Sequence, residues 1–220
     1  MVISMNINKL FIIFIIYSFI GWVIEVIYTF IMDKHFVNRG FLIGPYCPIY
    51  GLGCIFVINL LGKYKNDIVV VFVMSIMICS LIEYFTSLIL EKIFNARWWD
   101  YSRKKFNLNG RICLETMLPF GVLCCIVIYI LNPFILKILS YLSFNLLNIL
   151  FVFLLTIITL DLTISLLIII KLNFKAGKIR IDNQEEITKK VKDYIYNYSW
   201  IGKRLIKSFP HMKVFKNDKK

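Results

Sequence analysis

Five apolar runs, each about as long as a bilayer is thick, dominate what this chain can fold into. They are Leu10–Met32, Phe41–Leu61, Ile68–Leu90, Ile112–Ile135 and Phe144–Ile170. A helix needs about 20 mainly apolar residues to cross the hydrocarbon core. Inside lipid, every backbone N–H and C=O must be satisfied by the segment itself, which for runs of this length means a helix. Of 220 residues, 59% are hydrophobic and 18% charged, where soluble domains run near one half and one quarter. The sequence predicts an all-α integral membrane protein with about five transmembrane helices. The expected boundaries are a transmembrane domain over 1–172 and a basic tail over 173–220. The first run follows a single Lys9 and lacks a small-x-small cleavage site, so it is expected to stay in the mature protein.

Net charge is +13. Such an excess suits nucleic acid or an anionic membrane surface. Here the charge lies in one loop and the tail, beside long apolar runs, so the bilayer is the expected partner and nucleic acid is not. Loops one and three and the tail carry two, six and fourteen Lys and Arg, against one, two and one in the remaining connections. The positive-inside rule then predicts a multi-pass cell-membrane protein with its N-terminus outside and its C-terminus cytoplasmic.

An internal repeat is visible at a shift of 58 residues. It superposes Glu25 on Glu83, Lys34 on Lys92, Phe36 on Phe94 and Arg39 on Arg97, with Glu and Arg 14 residues apart in both copies. Each copy then reaches a Pro/Gly interruption, at Pro48-Ile49-Tyr50-Gly51 and at Pro119-Phe120-Gly121. This predicts two parallel two-helix repeats, about 10–62 and 68–135, plus a fifth span over about 144–170. Repeats of this kind are common in transporters.

Charges inside a span cost a few kcal/mol each, about 2.5–3.5 at the centre. Glu25 and Glu83 each lie about 10 Å inside the cytoplasmic helix end, and Asp161 about 13 Å, at 1.5 Å per residue. Glu115 is expected in the first turn of the fourth span. These acids, with Arg39, Arg97, Asp100 and Arg111, are the candidate lining of a cytoplasm-facing polar pocket. The alternative is a set of buried ion pairs that fix helix packing. Arg111 and Glu115 are four apart and would share a helix face if the helix began early enough. Asp100 is expected to pair with Arg97 or Arg111. The second run contains Gly44, Pro45, Cys47, Pro48, Tyr50 and Gly51 and is expected to be broken, either as a pocket-lining segment or as a tight turn at the interface. Whether residues 40–61 cross fully or re-enter is left open. Trp98, Trp99 and Tyr101 are expected at the membrane interface.

Cysteine spacing suggests no metal site, because no CxxC pair or Cys/His cluster occurs. No cofactor is expected. In the tail, Asp182 and Glu185 have capping-box spacing. Ile187, Val191, Ile195, Tyr198, Ile201 and Leu205 then recur at helical spacing. One cytoplasmic amphipathic helix is expected, ending before Pro210. It would lie either on the membrane surface or on the protein's own loops.

The motifs FVNRGFLIGPYCPIYGLG at 36–53 and EYFTSLILEKIFNARWWDYSRKKFNLNGRICL at 83–114 resemble the bacterial ABC-transporter permease type IV family, of the CmpB kind. The likeness covers at least residues 10–135. It implies a transmembrane subunit working with a separate ATPase. The chain itself carries no GxxxxGK[ST] phosphate loop. Five spans are few for a whole pathway, so a homo-oligomer is expected. The leading functional expectation is a permease subunit rather than an enzyme. Its rivals are a membrane enzyme acting on lipid headgroups through Glu83, Asp100 or Cys47, and a non-transporting sensor or assembly protein.

Overall fold

The computed structural model describes residues 6–176 and 184–215, with side chains described except at 171–176, 184 and 198. The helices are α1 (Ile7–Asp33), α2 (Pro48–Leu61, continued by a short 3-10 turn), α3 (Ile68–Phe94), α4 (Leu114–Ile126), α5 (Asn132–Ser140), α6 (Phe144–Ala176), α7 (Gln184–Tyr198) and α8 (Trp200–Ser208). A π turn, Val127–Leu131, joins α4 to α5. Among the described residues, four helical stretches are long and apolar enough to cross a membrane: Ile7–Asp33, Ile68–Phe94, Leu114–Ser140 and Phe144–Ile170. Two-residue strands complete the fold: β1 (Ala96–Arg97), β2 (Asn107–Leu108), β3 (Ile112–Cys113) and β4 (Lys213–Val214).

Two sequence expectations change here. The run Phe41–Leu61 is helical only from Pro48, so it yields a shorter apolar helix, Pro48–Tyr64, instead of a fifth full-length one. Gly40 takes φ 102° and starts a non-helical stretch. Pro48 sits in the first turn of α2, where its missing N–H would have had no helical partner. In the second copy there is no matching break, since Pro119 lies inside α4. Its ring removes one N–H, the donor to the Glu115 carbonyl, and the helix continues past it.

The chain divides into two compact units, and the division falls within α1, α3 and α6. The first comprises Met1–Gly21, Tyr46–Ile82 and Leu114–Leu160. Its helices pack through Ile12, Ile13 and Tyr17 against Val127, Ile135 and Leu139, with a second cluster around Val57, Val71 and Cys124. Small residues let the backbones approach. A Cβ on Gly51 would lie 2.3 Å from Ser18 Oγ and 2.4 Å from the Phe14 carbonyl oxygen. Ser18 is itself tied down, its hydroxyl donating to Phe14 O at 2.7 Å and its carbonyl accepting from Cys47 N at 2.9 Å.

The second unit comprises Trp22–Pro45, Glu83–Cys113 and Asp161–Lys220. Its core is Phe94, Trp98 and Ile169 with Val191, Ile195, Leu205 and Met212. β4 pairs antiparallel with β1, Ala96 opposite Val214. β2 and β3 form a hairpin closed by Asn109 (φ 53°) and Gly110 (φ 67°), the positive-φ pair that a type I′ turn requires. The tail therefore docks on the protein's own loops. It is two helices rather than one, because Ser199 is extended (φ −160°, ψ 160°) and caps α8 by accepting from Gly202 N. Asp182 lies outside the described residues.

Candidate functional site

The charged residues of the second unit form two groups. The first is built on α1 and the segment after it. Glu25 accepts from Arg39 Nε at 3.2 Å. The other end of that guanidinium donates to the Ser208 carbonyl, and the group lies 5.9 Å from the Phe209 ring centre. One helical turn before Glu25, Trp22 Nε1 donates to Asn38 Oδ1 at 2.8 Å, and Asn38 in turn donates to Ile43 O at 2.9 Å. Asp161 of α6 accepts from the backbone N–H groups of Ile43 and Gly44 at 2.9 and 2.7 Å, and from the Ser165 hydroxyl at 2.9 Å. The stretch before Pro45 is thus non-helical backbone whose donors go to a carboxylate from a distant helix. That is how irregular backbone is tolerated where helices cannot supply partners.

The second group is built on α3. Glu83 is buried, 7% exposed. Its Oε1 accepts from the Tyr101 hydroxyl at 3.2 Å, while Oε2 has no partner among the described residues. Burial raises the Tyr101 phenol above its ordinary value, and the negative charges of Glu83 and Glu25 raise it further. Tyr101 therefore stays a donor.

Two turns further along α3, Glu91 bridges two arginines, Arg97 Nε at 2.7 Å and Arg111 at 2.9 Å. Arg111 also donates to Ser87 at 3.1 Å. Arg97 meets Asp100 at 3.5 Å, and Asp100 meets Lys213 Nζ at 2.5 Å. Burial works to raise the Asp100 carboxyl, but the Lys213 ammonium and the Ser102 hydroxyl and N–H outweigh it and hold the group down at about 2. Gly110 is required beside this cluster, because a Cβ there would sit 2.6 Å from Asp100 Oδ1 at a positive φ.

The first-copy arginine meets its own copy's acid, and Arg97 meets Glu91 and Asp100. Other placements differ from the sequence expectation. Arg111 precedes α4, whose first residue is Leu114, so no helical spacing joins it to Glu115. Glu115, Cys47, Pro48, Tyr50 and Gly51 belong to the first unit. Trp98 is not an interface aromatic: it is 3% exposed and packs edge-on against Phe41 and Phe209. Tyr101 is turned onto Glu83, and Trp99 Nε1 donates to Arg111 O at 3.1 Å. Helical periodicity does not reveal Arg204. It is 7% exposed and donates to the carbonyls of Leu42, Phe41 and Gly40 at 2.6, 3.1 and 3.3 Å.

Apolar helices of spanning length, with a buried acid on α3 (Glu83) and half-buried acids on α1 (Glu25) and α6 (Asp161), define a polytopic α-helical membrane protein. Residues 12–166 match the family described as "Putative ABC-transporter type IV", and the chain belongs to that family. No curated protein and no solved structure matches the chain.

Proposed function

We propose that this protein is a permease subunit with an acidic, cytoplasm-facing site, built from Glu25, Glu83 and Tyr101, that takes a proton or a small cation. The observation that carries the reading is Glu83. A buried carboxylate normally has several donors or a basic partner. Here Oε1 has the phenol alone and Oε2 has no partner among the described residues. Arg39 lies against Glu25 and no basic side chain is recorded against Glu83 among the described residues, so a proton or cation would complete the Glu83 end of the site. Intramembrane acids with this kind of deficit mark ion and proton pathways.

The repeat supports the same reading, since Glu25 and Glu83 are related by it. The charge distribution of the loops supports an outside N-terminus and a cytoplasmic tail. The energy source is a separate ATPase subunit, given the transporter-type family and the missing phosphate loop. Arg97, Asp100, Arg111 and Asp161 frame the site rather than line it.

The test is ion flux in reconstituted vesicles, read with an internal pH dye and with external Na⁺ or K⁺. Glu83→Gln is expected to lower flux at least about tenfold, roughly the loss of one charge-assisted contact of 1.4 kcal/mol or more. Flux that is untouched by Glu83→Gln in a folded protein sinks the reading.

A further inference from the structure

We propose that the C-terminal segment belongs to the site, with Arg204, Ser208 and Phe209 acting as positioning residues that set the Arg39 guanidinium against Glu25. The proposal rests on the acidic-site reading above and names what holds the Arg39 counter-charge in place.

Arg39 has three described neighbours, and two of them come from the tail. They are the Ser208 carbonyl and the Phe209 ring, and only Glu25 comes from α1. The backbone that carries Arg39 is gripped by the same helix. Ser208 Oγ donates to Asn38 O at 2.5 Å, and Arg204 donates to three successive carbonyls at residues 40–42. Those residues include Gly40 at φ 102°, so they form no helix and satisfy none of these carbonyls by regular hydrogen bonding. A guanidinium presents five donors in a rigid fork. That is why one arginine holds three carbonyls where a lysine would hold fewer. α8 is 9 residues long and spends its buried polar face on this one stretch. Arg204 and Ser208 are four apart, on one side of the helix.

The arrangement has a physical consequence. A three-carbonyl clamp at residues 40–42 fixes the loop, and the loop fixes Arg39. Loss of the clamp lets the arginine leave Glu25 while α1 and α3 remain folded.

The experiment uses full-length, nitrogen-labelled protein in nanodiscs. The indole N–H of Trp22 and the Nε–H of Arg39 report on the loop in a nitrogen–proton correlation spectrum, and the indole of Trp98 reports that the tail core is intact. Arg204→Gln is expected to shift the Trp22 and Arg39 signals while Trp98 persists, with Arg204→Lys in between. Ser208→Ala removes the hydroxyl contacts to Asn38 O and Arg204 O but keeps the Arg204 guanidinium, and is expected to shift Trp22 by a smaller amount, which covers the case in which Arg204→Gln does not fold. In the flux assay, Arg204→Gln is expected to add no more than about twofold to the loss caused by Arg39→Gln, because both act through the same guanidinium. Trp22 and Arg39 signals that stay in place in Ser208→Ala and in every folded Arg204 variant overturn the proposal, as do fully additive losses of flux. The spectra need no transport. Absent flux with shifted signals therefore counts against the acidic-site reading alone.

Discussion

The Asp161 carboxylate accepts the backbone N–H of Gly44 at 2.7 Å across 117 residues of sequence, and the same group accepts Ile43 N. An intramembrane acid is thereby committed to backbone. Removing it with Asp161→Ala leaves two donors without their charged acceptor, at about 1.5–3 kcal/mol for each such bond. The expected loss is about 3 kcal/mol or more, measured by unfolding in mixed micelles. Asp161→Asn keeps an acceptor oxygen and is expected to lose less than half of that. Equal losses for the two would contradict the capping role.

Glu83 is expected to behave oppositely. It is buried and, among the described residues, has a single hydrogen-bond donor, Tyr101. Glu83→Gln keeps an oxygen for that phenol and removes a charge that is costly to bury. Stability should hold or rise by about 1 kcal/mol while flux falls, as at sites where function strains the fold. A loss of stability of the size seen for Asp161→Ala would mean that Glu83 is structural.

The Asp100–Lys213 pair predicts an acid-sensitive tail. Asp100 is held at about 2 in the fold, against about 3.9 in an unfolded chain. A depressed carboxyl stabilises fully above the unfolded value and ceases to do so as pH falls through the folded one. Docking of β4 on β1 should therefore be constant from pH 7 to about 4.5 and weaken between about 4 and 2. Hydrogen exchange at Lys213 and Val214 measures this. In Asp100→Asn the step should vanish and docking should be weaker at pH 7.

Gly51→Ala tests the helix contact in the first unit. The added Cβ would stand 2.4 Å from a backbone carbonyl oxygen, that of Phe14, which cannot swing aside as a side chain can. Overpacking costs about 1–3 kcal/mol, and the upper part of that range is expected. Gly62, whose Cβ would meet nothing within 4 Å, is the control. Gly62→Ala should be close to neutral in the same unfolding assay.

The repeat makes Glu25, Glu83, Arg39 and Arg97 legible in the sequence alone, because charges are rare enough in apolar runs to stand out. Their pairing is not legible there. Glu25 meets Arg39 as the 14-residue spacing allows. The second copy departs from this because Tyr101 and Glu91 compete for the equivalent positions. One local signal marks the hairpin that carries Arg111 toward Glu91, since Asn109-Gly110 supplies the two positive-φ residues of a tight turn. Arg204 is hidden for a different reason. A helical count carried through Ser199 assumes one continuous helix; the extended residue breaks its phase, so the face on which Arg204 lies cannot be read from α7.

What the sequence determined by itself was the class of material and its elements. Long apolar runs must be helices in lipid, the Gly/Pro segment before Gly51 must interrupt one, and a basic amphipathic tail must hide its apolar stripe. Those conclusions follow from local rules: period, length and backbone donors. What only the tertiary structure decided was which polar group answers which. Asp161 meets Gly44, Arg204 meets Leu42 and Lys213 meets Asp100 across more than a hundred residues each. Such pairs depend on where non-helical loops place their carbonyls and N–H groups. No periodicity encodes that placement, and it sets the charge on which the proposed acidic site depends.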